Sequence, residues 1–289
     1  MVRIETMPFN VPMDQAQADY PEYTFISRLT PSEQKAAFHV KDAQGQNLCL
    51  KIIAPNYNID RLDREILALQ SISHPNVVRL IEYTRSSKPG QQKHCIVEEF
   101  IEGTDLGQNL HPGHQWSRLD ASVFFTALFN GLAVLSDLNI VHRDLKPSNI
   151  RVRPNGSPVI IDFGLARLLD LPSLTNTPDG AAIGTPQYFS PEQCRGTKHD
   201  IDHRTDLFAS GCLLYQSLIG KHPFWRDGMT YSELHDAICG STDYLEEPDF
   251  LALPEQWQVI VGRLLNKERA DRPRSAAQVA AILQEIGGI

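Results

Sequence analysis

Two short runs of the sequence concentrate side chains that could carry out chemistry. VHRDLKPSNI (141–150) holds Asp144, Lys146 and Asn149, and DFG (162–164) adds Asp162. Carboxylate and amide oxygens can bind a hard cation, a carboxylate can accept a proton, and an ammonium can neutralise developing negative charge. The alternative is that Asp144 and Asn149 only cap turns through hydrogen bonds to the backbone.

Composition narrows the classes of protein. The chain has 289 residues, of which 42% are hydrophobic and 21% charged, enough for one large domain or two small lobes. A net charge of −8 argues against a nucleic-acid surface, which needs a basic face. Five cysteines without CxxC spacing favour reduced, mostly buried thiols over a disulfide framework or a zinc site. With no apolar run of about 18 residues and no signal-peptide pattern, we predict no membrane span and a cytoplasmic location.

The elements that must position these residues begin with a β-rich region. Strand-like runs cover 23–29, 36–43, 47–54, 77–84 and 93–100, and Gly45 marks a hairpin between the second and third runs. The apolar residues of 59–72 recur at helical spacing, which predicts an amphipathic helix. Residues 1–22 carry three prolines and no period, so we expect an extension that packs on the surface or stays loose.

A second, helical region follows. Residues 120–140 are apolar almost all round, which predicts a helix buried on most sides. Beyond it lie a short β-rich stretch (150–161), a loop from 165 to about 190 and several helices up to 286. We predict an extension (1–22), a small lobe (23–101), a hinge near 99–103 and a large lobe (102–289), with a ligand cleft between the lobes.

The two chemical runs belong to a longer ordered set. HRDLKPSNI, IDFGLAR and GTPQYFSPEQ follow Lys51 in LCLKI and Glu65 in DREILAL, and the set resembles the protein kinase family, most closely bacterial Ser/Thr kinases of eukaryotic type. The resemblance runs from about 23 to 286. It implies an α+β, bilobal protein-kinase fold: a small antiparallel β lobe plus one helix, and a larger, mainly helical lobe. It also implies transfer of the γ-phosphoryl group of ATP to protein serine and threonine hydroxyls.

The resemblance assigns roles to particular residues. Asp144 would accept or orient the proton of the attacking hydroxyl, Lys146 would stabilise charge on the moving group, and Asn149 with Asp162 would hold Mg²⁺, or Mn²⁺ in its place. The residues assigned to ATP binding are Lys51, Glu65, Glu99, Ile101, Ser32 and Lys35. Lys51 would hold the α and β phosphates while Glu65 aims it. The alternatives are that Lys51 snorkels from a strand edge and that Glu65 lies on a solvated helix face.

A further group would support the site. Asp206 would tether the backbone of the 142–149 loop, Glu192 and Arg272 would form a buried pair, and His142 would stack with Phe163, next to Gly164. Arg143 would form an ion pair with the phosphate of a phosphorylated loop hydroxyl. Thr185 would shape the substrate platform. The hydroxyls expected to be autophosphorylated are Thr175, Thr177 and Ser173; the alternative is that they are ordinary loop residues.

The sequence departs from the family pattern in two places. The expected G-x-G-x-x-G turn reads LTPSEQKAAF (29–38) and contains no glycine, so Ser32 and Lys35 would compensate only in part. Glu98 and Arg151 stand where relatives carry apolar or small residues around adenine. We hypothesise that each reaches solvent or a local polar partner, which leaves a wetter nucleotide site.

These departures keep a second class of function open. The alternative to an active kinase is a pseudokinase, a nucleotide-binding or regulatory interaction module. A third class, AMP transfer, is disfavoured by the ordinary HRDLKPSN run. The protein substrate is not identified by the sequence. Homodimerisation through the small lobe, as in bacterial relatives, is an option that no patch in the sequence indicates.

Overall fold

The computed structural model describes residues 9–30, 35–54, 66, 69–85, 94–162 and 186–288. The chain divides into two compact units, Met1–Ile101 and Glu102–Ile289. Most of the helix predicted over 59–72 lies outside the described residues. So do these predicted site residues, whose roles stay predictions: Ser32, Glu65, Phe163, Gly164, Ser173, Thr175, Thr177 and Thr185.

A five-stranded antiparallel sheet builds the first unit, as predicted. Its strands are β1 (Thr24–Arg28), β2 (Lys35–Lys41), β3 (Asn47–Ile53), β4 (Leu80–Arg85) and β5 (His94–Glu99), in the spatial order β1-β2-β3-β5-β4. β3 is buried almost from end to end because it lies at the centre of the sheet. Lys35, expected in the turn before β2, is instead the first residue of β2, opposite Ile53.

The N-terminal extension differs from the prediction. It forms a helix, α1 (Met13–Asp19), and both Val11 and Ala16 are buried in the core of the first unit. This helix could not be predicted from hydrophobic periodicity because Ala16 is its single buried residue, so no apolar stripe marks it. Gln17 fastens α1 to the sheet: its Nε2 donates to the Tyr23 carbonyl at 2.7 Å, and its Oε1 accepts from the Phe25 N–H at 3.2 Å.

The second unit is mainly helical, as predicted. The helices are α2 (Arg118–Asp137), α3 (Pro191–Cys194), α4 (His203–Ile219), α5 (Tyr231–Gly240), α6 (Pro248–Leu251), α7 (Glu255–Leu264) and α8 (Ala276–Gly287). α2 packs along α8, and the buried Ser122 hydroxyl donates to the Leu283 carbonyl across that contact. α4 is buried on nearly every side. The side chains of α2, α4 and α8 therefore form the core of this unit.

α2 corrects one sequence-based expectation. It has 20 residues, and an 18-residue window within it has a mean hydropathy of 1.5, so it is long and apolar enough to cross a membrane, although no such run was expected. More than half of that window is buried inside the unit, and the core helix of a folded domain has the same length and composition. The packing of α2 against α8 accounts for its apolar character.

A small antiparallel sheet contains strands from both sides of residues 141–149. It consists of β6 (Thr104–Asp105), β7 (Ile150–Val152) and β8 (Pro158–Ile160), in that order. Gly103, just before β6, has φ +128, and a Cβ there would lie 1.9 Å from the Val152 carbonyl oxygen. Only glycine allows the two backbones to approach so closely.

Candidate functional site

The end of α2 directs the chain into the candidate catalytic loop, residues 141–149. Asn139 adopts φ +56, its N–H donates to the Ser136 carbonyl, and the Ile140 N–H donates to the Leu135 carbonyl, each at 2.9 Å. This pair of bonds is a Schellman motif, and asparagine tolerates the left-handed conformation that the motif requires. The loop therefore begins from a fixed point.

A buried carboxylate then fixes the start of the loop. Asp206, in the first turn of α4, accepts the backbone N–H of His142 at 2.7 Å and that of Arg143 at 2.8 Å. Burial raises the pKa of Asp206, and the two N–H bonds and the nearby His142 oppose that rise. Arg143 is held at φ +63, a conformation that costs free energy in a non-glycine residue. The expected tether from Asp206 to this loop is thus present in the structure.

The structure brings three of the predicted catalytic residues together. The Asp144 carboxylate accepts from Lys146 Nζ at 2.9 Å and from Asn149 Nδ2 at 3.1 Å, both on Oδ2. Asn149 Nδ2 also donates to the Asp144 backbone carbonyl at 2.7 Å. The amide nitrogen therefore caps the turn, as the alternative interpretation of Asn149 predicts. Side chains of Asp144 and Lys146 each keep 21% exposure, which leaves them accessible to a substrate.

The remaining predicted metal ligand lies beside this group along the backbone. The Ile161 N–H donates to the Asn149 carbonyl at 3.0 Å, and the Ile161 carbonyl accepts from His142 Nε2 at 2.9 Å. Asp162, the next residue, is held at φ +58. Strained backbone of this kind persists where the surroundings over-determine it, often at functional sites. His142 Nδ1 accepts the Asp144 N–H at 3.3 Å, which leaves Nε2 as the nitrogen that faces the Ile161 carbonyl.

Asn149 and Asp162 have the donor chemistry that a magnesium ion requires. The amide nitrogen of Asn149 is used within the loop, so its oxygen is the atom left to face a ligand. Asp162 supplies carboxylate oxygens, and Mg²⁺ prefers oxygen ligands over nitrogen and sulfur. Residues of these types therefore fit the expected metal.

A buried ion pair anchors α3 within the second unit. Arg272 donates to both oxygens of Glu192 in α3, at 2.8 and 2.9 Å, and the Thr205 hydroxyl donates to the same carboxylate at 2.8 Å. The Arg272 side chain is fully buried. Burial raises the pKa of Glu192, but the hydrogen bonds and charge of Arg272 outweigh it, and the pKa is lowered. The expected Glu192–Arg272 pair is present.

Gln193 is a site residue that sequence reasoning missed. Its Nε2 donates to the Arg143 carbonyl at 2.7 Å, and its Oε1 accepts the Ser190 N–H at 3.0 Å. The contact joins α3 directly to the residue before Asp144. The serine three residues before a glutamine is a capping-box signal that could have placed Gln193 at a helix start, but not against the loop.

In the first unit, Lys51 forms a buried ion pair with Glu98. The two residues lie on β3 and β5, and their side chains keep 7% and 5% exposure. Lys51 therefore does not snorkel to solvent. Glu98 has the polar partner that we hypothesised, although neither side chain is exposed to solvent. The predicted contact between Lys51 and Glu65 stays a prediction because Glu65 lies outside the described residues.

Other predicted nucleotide-pocket residues lie in well-defined places. Arg151 donates to Asp105 at 2.8 Å and to the Gly103 carbonyl, so it has the expected local polar partners. The Glu99 carboxylate accepts the Arg79 N–H at 2.9 Å, which occupies one of its oxygens within the first unit. Ile101 is buried.

Comparison with known proteins shows which sequences this chain resembles. The family model for the protein kinase domain matches residues 35–283. A probable serine/threonine-protein kinase PknB of Bifidobacterium longum is 31% identical over 245 residues, 81% of this chain and 35% of that protein. The serine/threonine-protein kinases pkn3 and pkn2 of Myxococcus xanthus are 32% and 34% identical, over 81% and 78% of this chain. The alignments cover 43% of pkn3 and 27% of pkn2, so the chain spans less than half the length of these relatives.

Proposed function

Because this chain belongs to the protein kinase family, we propose that it transfers the γ-phosphoryl group of ATP to serine and threonine hydroxyls of proteins. One observation carries the proposal: the Asp144 carboxylate is held by Lys146 and Asn149 on a loop that Asp206 fixes through its backbone. A preformed arrangement of this kind lowers the reorganisation that the transition state would otherwise require.

In this proposal each of three loop residues has a separate role in catalysis. Asp144 accepts a hydrogen bond from the attacking hydroxyl and orients its lone pair toward phosphorus, then takes the proton. Lys146, 2.9 Å from the same carboxylate, shifts to the transferred group as negative charge builds there. The bond from Asn149 Nδ2 to Asp144 Oδ2 keeps that carboxylate in one rotamer while Lys146 moves, and the bond to the Asp144 carbonyl holds the loop backbone. Positioning and electrostatics therefore account for the catalysis, as expected for phosphoryl transfer.

Asn149 and Asp162 are the proposed ligands of Mg²⁺. The ion, when bound, neutralises phosphate charge that would repel the incoming hydroxyl. Ile161 is hydrogen-bonded to the Asn149 carbonyl through its N–H and to His142 Nε2 through its carbonyl. These two bonds hold the backbone next to Asp162 and thereby limit where its carboxylate can point.

We propose that Lys51 holds the α and β phosphates, and that Glu98 sets the free-energy cost of doing so. The Lys51 ammonium already has a buried carboxylate partner. A phosphate must compete with that partner, and the exchange leaves Glu98 short of a counter-charge in a buried position. ATP affinity is accordingly weaker than a neutral residue at position 98 would allow.

A labelling experiment tests the proposal. The protein is incubated with Mg²⁺, a basic protein acceptor and ATP labelled on either the γ or the α phosphate. We expect γ label on serine and threonine, with a loss of at least about a hundredfold in Asp144→Asn and no loss in Asp137→Asn, an exposed acid at the end of α2. Transfer of α label would replace the proposal with AMP transfer. Nucleotide binding without transfer of either label would replace it with a binding module.

The proposal extends to metal, location and partners. We propose Mg²⁺, or Mn²⁺ in its place, as the working ion, a cytoplasmic location and a protein substrate in a signalling role. Five free cysteines, four of them buried, support a reducing compartment. The net charge of −8 favours a basic protein substrate, since opposite charges speed the encounter.

A further inference from the structure

A groove on the second unit lies outside the candidate site. We call it the α2 groove: it has a volume of about 900 Å³ and lies between α2, residues 108–117 and the turn that joins β7 to β8. Ligand-binding clefts have volumes of about 300–1,000 Å³. All residues that line the groove belong to the described part of the chain. The proposed phosphoryl transfer assigns it no role.

Apolar side chains of α2 line the α2 groove and are exposed. Leu119, Val123 and Ala127 recur every four residues along one face of the helix, and Leu119 and Val123 keep 53% and 52% of their surface exposed. The rings of Trp116 and Phe124 also line the groove, and they meet edge to face with centroids 5.1 Å apart. An apolar stripe on a helix is usually covered by a neighbouring element, so an exposed stripe in a groove is typical of a binding surface.

Hydrogen bonds hold the sides of the α2 groove in place. The Trp116 N–H donates to the Ser217 carbonyl at 2.8 Å, which fixes residues 108–117 to the last turn of α4. The Arg153 N–H donates to the Ser157 carbonyl at 2.9 Å and closes the turn between β7 and β8. The groove is therefore preformed, and a ligand does not lose free energy by ordering it.

Charge indicates what the α2 groove would bind. Asp120 is the single carboxylate among the residues that line it, and no lysine or arginine lines it. Oδ2 of Asp120 accepts the Ser117 hydroxyl at 2.6 Å, which leaves Oδ1 for a ligand. The chain also carries a net charge of −8, so an acidic ligand is repelled and a basic ligand is attracted. A ligand that suits both the apolar stripe and Asp120 has apolar side chains next to a lysine or an arginine.

The α2 groove adjoins the candidate catalytic loop. Gln108 lines the groove, and a Cβ on the residue before it, Gly107, would lie 3.5 Å from the Pro147 side chain. Pro147 lies within residues 141–149, three residues after Asp144. A peptide chain bound in the groove is thereby held near Asp144. Tethering of this kind raises the effective concentration of another part of the same chain at the loop.

We propose that the α2 groove is a docking site for protein substrates. It binds a segment that carries two apolar side chains beside a lysine or an arginine, at a distance along the substrate chain from the serine or threonine that receives the phosphate. The apolar side chains cover Leu119 and Val123, and the positive charge pairs with Asp120. The docking role rests on the proposed function, whereas the binding of such a segment does not.

Peptide selection tests the binding. Random peptides displayed on phage are selected on the immobilised protein without nucleotide, and the recovered peptides are synthesised and titrated by fluorescence anisotropy. We expect two apolar residues beside a lysine or an arginine, and an affinity about fivefold weaker for Val123→Ser. Val259→Ser, a similarly exposed valine of α7, is the control and should bind as wild type does.

Several outcomes of this selection would overturn the proposal. They are the recovery of no peptide, of acidic peptides, or of peptides that bind Val123→Ser as tightly as wild type. A dimer in sedimentation that Val123→Ser dissociates would also overturn it, because the groove would then bind a second copy of this chain.

Asp120→Asn tests the charge. At low salt this variant should bind the recovered peptide severalfold more weakly, and its affinity should depend less on salt concentration than that of wild type. Asp137→Asn, at the other end of α2, is the control and should behave as wild type does. Equal salt dependence in Asp120→Asn and wild type would refute the pairing of the ligand with Asp120.

Steady-state kinetics separate the docking role from the proposed function. The acceptor is a peptide in which the recovered segment is joined to a serine through a flexible linker. We expect a KM about fivefold higher in Val123→Ser at unchanged kcat, and no change for an acceptor without the segment. A protein that binds the segment but transfers no γ label would refute the proposed function and leave the binding site standing. Transfer of γ label with the same KM in Val123→Ser and wild type would refute docking alone.

Discussion

The pair between Glu192 and Arg272 gives the sharpest test of what stabilises the second unit. Glu192→Gln removes the negative charge while it keeps the size of the side chain. The Arg272 guanidinium would stay buried, with the carbonyls of Asn266 and Arg204 as partners at 2.8 and 3.1 Å. Neutral carbonyls do not offset a buried positive charge as a carboxylate does. We therefore expect the free energy of unfolding to fall by about 3–5 kcal/mol.

The same loss of unfolding free energy corresponds to a lower melting temperature. For a unit of this size, each kcal/mol shifts the melting temperature by about 2–4 °C. Glu192→Gln should therefore melt about 6–20 °C lower, measured by calorimetry or by circular dichroism. Lys221→Met is the control, because it breaks an ion pair whose Lys221 side chain keeps 52% exposure. That change should cost less than about 1 kcal/mol.

The double variant Glu192→Met with Arg272→Met completes the cycle. Removing both charges leaves no uncompensated ion, so the double variant should be less destabilised than the sum of the single changes by at least about 1 kcal/mol. Additive effects, or a shift in the Glu192→Gln melting temperature no larger than that of the control, would refute the argument that the buried charge balance stabilises this unit.

The pH dependence of this effect follows from the lowered pKa of Glu192. A carboxyl whose folded pKa lies below its ordinary value of 4.5 adds stability that is fully present above that pH. The contribution is lost as pH falls through the folded value. The difference in unfolding free energy between wild type and Glu192→Gln should therefore be constant near neutral pH and shrink below pH 4.5. A difference that grows as pH falls would contradict the assignment.

Three further changes test other contacts. Asp206→Asn leaves one of two loop N–H groups without an acceptor, and kcat should fall by about ten- to a hundredfold in steady-state assays at unchanged folding; an unchanged kcat would refute the tether. Glu98→Met frees Lys51 from its carboxylate, and calorimetric titration should show tighter ATP binding by about tenfold; weaker binding would refute the competition. The added methyl group of Gly103→Ala meets a carbonyl oxygen and should lower the free energy of unfolding by at least about 2 kcal/mol in denaturant unfolding. The control is Gly240→Ala, whose methyl group meets no atom within 4 Å and which should stay within about 1 kcal/mol of wild type. Equal effects would refute the steric argument.

The sequence allowed the loop chemistry to be predicted because the spacing is local. Asp144, Lys146 and Asn149 stand within six residues of each other, so any tight loop brings their side chains together. The fold class was likewise predictable, since strand alternation and an apolar helix are periodic features. The Lys51–Glu98 pair was not predictable in the same way. It depends on the register between β3 and β5, which sets Cys49, and not Lys51, opposite Glu98.

Contacts between distant segments account for what the sequence left open. Gln193 reaches the Arg143 carbonyl only because the tertiary fold places α3 beside the loop. α1 was missed because a helix with one small buried residue has no amphipathic signal.

The bonds of Gln17 have a consequence for handling the protein. β1 lies at the edge of its sheet, and an edge strand presents unpaired N–H and carbonyl groups to which another chain can add a strand. Gln17 occupies two of those groups with its side-chain amide, and Val11 and Ala16 cover the apolar residues beneath. An expression fragment trimmed to begin at β1 would uncover both the edge and the core, and it should self-associate more readily than the longer chain.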